Sequence, residues 1–479
     1  MNFNSFKFFV FFFVVYFIYI ALRHKQQNCF LLAASYFFYG CWDWRFLVLI
    51  FVSTATDFFC GLKIFDQENQ NKRRLFLFVS VFVNLSILGF FKYFNFFVDS
   101  LSSFSMWAGF NLSVPTFRIL LPVGISFYTF QTLSYTIDVY RKKIKPANNF
   151  FDYALFVSFF PQLVMGPIER AKNLLPQIQQ PRTFNTEKIN EGFLLIYWGL
   201  FKKVFIADNI ALFLSYFGNP VSADGSAGDG GLVLAASYAF LIQLYCDFSA
   251  YSDIARGTAM VMGFDITVNF RSPLLASNIL ELWERWHISL TTWIRDYLYY
   301  PLSKVKVGKK HLSPLLLFLL TFLIMGLWHG ASWNFILWGL YNGLVLLIYG
   351  AYSQNKRRFN RPKQTFVRKL IVIFSILLTF NVASLGMIFF RANSLYEIGH
   401  WIYHLFANFS FSPEMVELIG KVFIYSLPLI IVDKFLYNDE KLLRLAKYPP
   451  LLKYGFLYIT FFLMVVYHAD ATNFIYYQF

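Results

Sequence analysis

The chain has 479 residues, of which 57% are hydrophobic, 22% aromatic and only 14% charged, and its mean hydropathy is +0.50. A soluble domain carries about a quarter of its residues charged, so the composition excludes a soluble globular enzyme and leaves a polytopic membrane protein. The net charge of +16 does not indicate nucleic acid, because the basic residues sit in short loops between apolar runs, such as Arg23-His24-Lys25, Lys72-Arg73-Arg74, Arg141-Lys142-Lys143, Lys304 to Lys310 and Lys356 to Lys369. Such loops set topology and meet anionic lipid headgroups.

A helix needs about 20 apolar residues to span a bilayer, fewer where it is broken or re-entrant. In chain order this ruler predicts a retained first transmembrane helix at Phe6–Ala21, with no basic leader before it. Segments follow at Phe30–Tyr39, Phe46–Leu62, Leu75–Phe90, Leu120–Ile137 and Phe151–Met165. Next come Gly192–Phe217 and Leu232–Met262, both long enough to be split, then Leu315–Met325, Trp333–Tyr349, Leu370–Phe390, Val422–Val432 and Phe456–Val466. The expectation is an all-α polytopic membrane protein with about 10–12 transmembrane helices plus re-entrant or interfacial ones. Pro122, Gly124, Pro161, Gly166 and Pro167 interrupt two segments, and irregular backbone at membrane depth belongs where protein or a water-filled cavity surrounds it. The polar stretches Glu169–Lys188, Asn219–Gly231 and Gln354–Lys369 are too short to bury a core. One membrane domain, 1–479, is expected, with no inverted repeat. Cys29, Cys41, Cys60 and Cys246 are scattered without CxxC or His at ligand spacing, so neither a disulfide nor a metal site is expected.

Chemistry concentrates in two places. From Leu312 to Asn355, His329 is the only His, Asp, Glu, Lys or Arg. Ionisable residues in such runs face a cavity, a partner or a reaction, and neutral imidazole keeps one nitrogen as an acceptor, the state a general base needs. In a continuous helix its neighbours are Gly326 and Ser332 or Trp333, the Gly326/Gly330 pair leaves room beside it, and Trp328 and Trp333 wall it. A buried histidine bridging two helices fits the same pattern. The second place is the amphipathic, Trp-rich stretch Glu281–Leu302, which carries His287 and is too polar to span. As one interfacial helix it puts Glu284 and Thr291 on the face of His287; a solvated helix with ordinary ion pairs reads equally well. Asp247 and Asp253 orient a catalytic group, line a cavity or pair with a basic residue on another helix. No GxSxG, phosphate-binding Gly loop or HExxH occurs.

The run Arg285-Trp286-His287-Ile288-Ser289-Leu290, with Trp293 to Tyr299, Gly326-Leu327-Trp328-His329-Gly330-Ala331 and Trp338-Gly339, resembles the membrane-bound O-acyltransferase family in its bacterial, alginate O-acetylase-like branch. Supporting stretches are Phe91 to Asn95, Leu121–Arg141, Gln162 to Pro167 (with Met165 where a small residue is expected), Tyr245 to Ser249, Tyr251 to Asp253 and Phe389 to Ala392. The resemblance covers about residues 75–395, leaving 396–479 as additional transmembrane helices. It implies helices around a central tunnel, with the catalytic histidine at His329 and the second polar position at His287. It further implies substrate-binding roles for Trp328, Trp286, Trp333, Arg285, Ser289 and Asp247. An acyl group, acetyl from acetyl-CoA, would pass from the cytoplasmic side of a bacterial inner membrane to a hydroxyl acceptor for exopolysaccharide O-acetylation. The acceptor would be the polysaccharide itself or an extracytoplasmic acetyltransferase- or esterase-like partner. No tightly bound cofactor, metal or nucleic acid enters. A D-alanyl transferase of teichoic-acid modification, served by an acyl carrier protein, is the sister reading; a proton-coupled transporter and a non-catalytic scaffold are the readings from other classes.

Overall fold

A computed structural model describes residues 1–110, 118–216, 229–307, 310–356, 365–436, 449–470, 472, 474 and 475. The linker expected at Asn219–Gly231 falls largely outside these residues, as do 357–364 of Gln354–Lys369, whose two ends are helical. Apart from a two-residue antiparallel pairing of Lys306–Val307 with Lys310–His311, the regular structure described is helical. Six helical stretches are long and apolar enough to cross a membrane: His24–Asp66, Gln70–Trp107, Gly230–Val261, Trp333–Ser353, Phe366–Arg391 and Pro413–Leu436. Three shorter apolar helices accompany them, Phe6–Ala21, Pro314–His329 and Pro450–Val466. Their outward residues are large and apolar, including Phe6, Phe17, Phe78, Phe82, Phe374 and Phe423. Exposed apolar area on this scale suits lipid and not water. The chain is an all-α polytopic membrane protein.

The chain divides into two compact units, residues 1–196 with 254–267, and residues 197–253 with 268–479. In the first unit, α1 (Phe6–Ala21) and α2 (His24–Asp43) lead into α3 (Leu47–Asp66), which packs on α4 (Gln70–Leu88) and, beyond α5 (Phe94–Trp107), on α6 (Ile125–Tyr140). A buried polar network ties α3, α4 and α6: Asp57 Oδ1 accepts from Ser80 Oγ at 2.6 Å and Oδ2 from Asn84 Nδ2 at 2.8 Å. Asn84 Oδ1 in turn accepts from Ser53 and Thr132. Polar groups in an apolar milieu need such partners, and here the partners come from three helices. Short helices α7 (Phe150–Ser158), α8 (Phe160–Leu163) and α9 (Ala171–Gln179) precede α10 (Thr186–Phe201).

Sequence and structure differ on the two long runs. The run after Thr186 is interrupted by a π-helical turn, Lys202–Ala207, before α11 (Asp208–Tyr216), whereas α12 (Gly230–Val261) continues unbroken for 32 residues. The π turn lets consecutive lysines reach different carboxylates in the second unit. Lys202 Nζ lies 2.8 Å from Asp253 and Lys203 Nζ lies 2.9 Å from Asp208 and 2.7 Å from Asp247. Lys203 is fully buried, and the other oxygen of Asp247 accepts the backbone N–H of Ile475 at 2.6 Å.

The remaining helices of the second unit are the short α13 (Ile279–Arg285), α14 (Ile288–Ile294) and α15 (Tyr300–Ser303), then α16 (Pro314–His329), α17 (Trp333–Lys356), α18 (Thr365–Arg391), α19 (Leu395–Ala407), α20 (Pro413–Leu436) and α21 (Pro450–Val466). Helices α5 and α19 escaped the apolar-run ruler; α19 buries Ile398, Trp401 and His404, the first two against Val233, Ile388 and Ala392. Helix α16 packs on α17 backbone against backbone. A Cβ on Gly326 would collide with the carbonyl oxygen of Phe335, and one on Gly339 with that of Phe322. The small residues therefore admit backbone. The space expected beside Gly326 and Gly330 is filled, the latter by the Phe335 ring.

Two outcomes follow. Replacing Lys203 with Met strands two buried carboxylates and should cost about 3–5 kcal/mol, read as loss of monodisperse protein or a lowered Tm in detergent. Gly326→Val overpacks the α16–α17 seam and should lower stability by about 1–3 kcal/mol, with a matching fall in Tm.

Candidate active site

His329 is the last residue of α16. Ser313 caps the helix start with its side chain, Pro314 fits the first turn, and at Gly330 the backbone turns extended. The helix thus ends at the histidine, and Ser332 and Trp333 are not its helical neighbours. His329 is buried, with three aromatic rings packed edge-to-face on it: Trp328 at 5.0 Å, Trp338 at 4.9 Å and Phe390 at 5.7 Å between centroids. Trp333, expected as a wall of this site, is 51% exposed; the second indole on the imidazole is Trp338. The C-terminal end of a helix carries partial negative charge, which steadies an imidazolium formed there by about 0.3–1 kcal/mol.

His287 does not lie within one interfacial helix. It is the junction between α13 and α14, in the left-handed region at φ 42°, ψ 53°, and is 1% exposed. The strain of a left-handed non-glycine residue, on the order of 1–3 kcal/mol, is countered by Asn269, whose carbonyl accepts the N–H of Ile288 at 2.9 Å. The Asn269 side-chain oxygen lies 3.0 Å from His287 Nδ1, 2.9 Å from Ser289 Oγ and 3.3 Å from the Ser289 N–H. The break leaves Glu284 exposed, while Thr291 donates its N–H to the carbonyl of His287 at 2.9 Å and its hydroxyl to that of Trp286 at 3.2 Å, so the spacing expected for Thr291 is kept through the backbone. Phe248 packs edge-to-face on the His287 ring at 4.7 Å and Phe270 stacks at 6.3 Å. Burial pushes the His287 imidazole down to about 3, so it is neutral at physiological pH.

The two histidines meet through one side chain. The indole of Trp328 lies 5.0 Å from His329 and 6.2 Å from His287. Ser289 joins the same cluster through Asn269. Trp286 is one layer back, 5.4 Å from Phe270 and 6.0 Å from Tyr245. Arg285 is held by Glu281 at 3.0 Å and by the carbonyl of Arg271, and Asp247 is engaged by Lys203 and Ile475. Of the readings open for Asp247, pairing with a base on another helix is the one its contacts describe. Sequence reasoning missed Asn269, Trp338, Phe390 and Phe248. Trp338 and Phe390 lie in stretches whose wording was already distinctive, but a lone Asn in an irregular segment carries no periodic signal.

The displaced titration of His287 has a consequence for stability. An ordinary imidazole binds its proton near 6.5, so below that pH the unfolded chain takes up a proton that the folded chain refuses until about pH 3. Stability therefore falls on acidification, by about 1.4 kcal/mol per pH unit across that window. Tm measured from pH 7 to 5 should fall, and His287→Gln should remove that part of the slope.

Residues 141–390 match the family model described as MBOAT, the membrane-bound O-acyltransferase family. A probable alginate O-acetylase of Pseudomonas putida is 39% identical over 385 residues, 79% of this chain and 74% of the relative. A peptidoglycan O-acetyltransferase of Helicobacter pylori is 37% identical over 393 residues, 76% of this chain and 71% of the relative. A teichoic acid D-alanyltransferase of Streptococcus thermophilus is 26% identical over 285 residues, 56% of this chain and 68% of the relative. With its multi-pass helical architecture and this extent of similarity, the chain belongs to the membrane-bound O-acyltransferase family and is an O-acyltransferase.

Proposed function

We propose that the protein moves an acetyl group from a cytoplasmic thioester, acetyl-CoA, across the bacterial inner membrane to a hydroxyl of a cell-surface or secreted polysaccharide. The acceptor is either the polymer directly or an extracytoplasmic acetyltransferase-like partner that hands the group on. One observation carries this reading: two buried histidines from separate segments converge on the single indole of Trp328. Acetyl is favoured over D-alanyl because the two O-acetylating relatives match at 37% and 39% over more than three quarters of the chain, and the D-alanyl transferase at 26% over 56%.

In the reaction, His329 takes the proton of the acceptor hydroxyl as its oxygen attacks the thioester carbonyl. The tetrahedral adduct collapses by breaking the C–S bond, and the imidazolium returns its proton to the leaving thiolate, so an ester and a free thiol are formed. An imidazole is suited to both transfers because its ordinary pKa of about 6.5 lies near working pH. The helix end behind His329 favours the transient cation. His287 orients the acceptor. Trp328, which touches both imidazoles, sets their separation, and the surrounding aromatic rings exclude water that would hydrolyse the thioester.

The experiment uses membranes given acetyl-CoA labelled in the acetyl group. Wild type should pass label to a polysaccharide or protein acceptor, and His329→Ala should reduce transfer by about 10²–10⁴-fold at equal protein level. Undiminished transfer by His329→Ala overturns the assignment of the base. Label entering only from carrier-bound D-alanine would replace acetyl by D-alanyl.

A further inference from the structure

The groups around His287 determine which of its nitrogens carries the proton. Asn269 lies in the irregular segment between α12 and α13 and is 1% exposed. One atom of its side-chain amide faces the backbone N–H of Ser289 at 3.3 Å. A backbone N–H can only donate, so the atom facing it is the amide oxygen. The opposite NH2 group donates to Ser252 Oγ at 3.2 Å, which agrees with that orientation. The same oxygen is 2.9 Å from Ser289 Oγ and 3.0 Å from His287 Nδ1. An amide oxygen can only accept, so Nδ1 is the protonated nitrogen. The other tautomer would set two lone pairs against each other at 3.0 Å. A neutral imidazole has one N–H, and Nε2 is then left with the lone pair.

We propose that Asn269 is a positioning residue for acyl transfer, holding His287 in its Nδ1–H tautomer so that Nε2 accepts a hydrogen bond from a donor group on the acceptor substrate. The proposal rests on the reading above that His287 faces the acceptor. It assigns the two histidines different work. With the lone pair on Nε2, His287 does not donate to the carbonyl oxygen that becomes negative; it accepts from an O–H of the acceptor beside the one that attacks, and the attacking O–H gives its proton to His329. An acceptor with neighbouring hydroxyls, as in a sugar ring, fits this division. The backbone N–H of Ser289 keeps the Asn269 amide from turning over, and the left-handed turn at His287 is what brings Nδ1 onto its oxygen.

Two measurements test this. In protein labelled with 15N-histidine, long-range proton–nitrogen correlation spectra should show the signal lost in His287→Gln with Nδ1 protonated and Nε2 bare; Nε2 protonated overturns the proposal. In kinetics, Asn269→Leu should lower kcat/KM for the acceptor by about 10²-fold, the usual scale for a misplaced catalytic group, while KM for acetyl-CoA stays at the wild-type value. Asn269→Asp, which still accepts from Nδ1–H, should recover most of that loss. Equal loss in both variants, or a Leu variant as active as wild type, sinks it. The spectra report on the tautomer even where wild type transfers no acetyl group, so failure of the proposed reaction and failure of this assignment are told apart.

Discussion

The site depends on how closely α16 and α17 approach. Their seam is backbone on backbone: Gly326 faces the carbonyl of Phe335, and Gly339 faces that of Phe322. In lipid there is no hydrophobic force between apolar helices, so such contacts rest on dispersion at short range, and only glycine permits that range. This approach places Trp338 of α17 edge-on to His329 of α16 at 4.9 Å. The short, irregular link between the helices, with Gly330 tucked under the Phe335 ring, stops α16 at the histidine.

A chain so poor in charge uses its few polar side chains in two distinct ways. Lys203 with Asp208 and Asp247, and Asp57 with Ser80 and Asn84, are buried sets in which donors and acceptors from different segments match closely. Such sets fix which helices meet, because a polar group left without its counterpart in an apolar interior is costly. The two site histidines are treated otherwise. Each is set among aromatic rings, which supply close packing and a dry environment. Imidazole tolerates this because it can be neutral, and it retains the capacity to take a proton when chemistry supplies one.

The polar support that the site does have comes from an unexpected quarter. His287 is anchored by Asn269, eighteen residues earlier in the chain, and by the left-handed turn that Asn269 helps to hold. Strained backbone at a buried polar residue is a device for aiming a side chain more narrowly than a regular helix allows. Combined with the Ser289 and Ser252 contacts, it fixes both the ring's direction and its tautomer. The two candidate histidines thus differ in setting: one terminates a helix, the other sits on a kink.

Much was legible in the sequence. The span Phe6–Ala21 is the observed helix, most of the other apolar runs lie in helices although Leu120–Ile137 starts in irregular backbone and Phe151–Met165 breaks at Phe159, and the rarity of ionisable residues between Leu312 and Asn355 singled out His329. The resemblance carried by Arg285 to Leu290 and Gly326 to Ala331 named the family before any coordinate did. Hydropathy and rarity are properties of a segment taken alone, so they can be read from the chain. What could not be read was every relation between segments. Helical spacing assigned Glu284 to His287 and Trp333 to His329, and both assignments failed because the helix breaks at each histidine. Whether a helix continues through such a residue is decided by partners distant in sequence: Asn269 accepting the N–H groups of Ile288 and Ser289, and Phe335 lying over Gly330. The sequence by itself determined a membrane-embedded helical acyltransferase and marked two histidines as candidates for its site. Tertiary structure alone decided that Trp338, Phe390 and Asn269 join Trp328 around them, because hydrogen bonds and ring contacts exist only once separate segments are packed together.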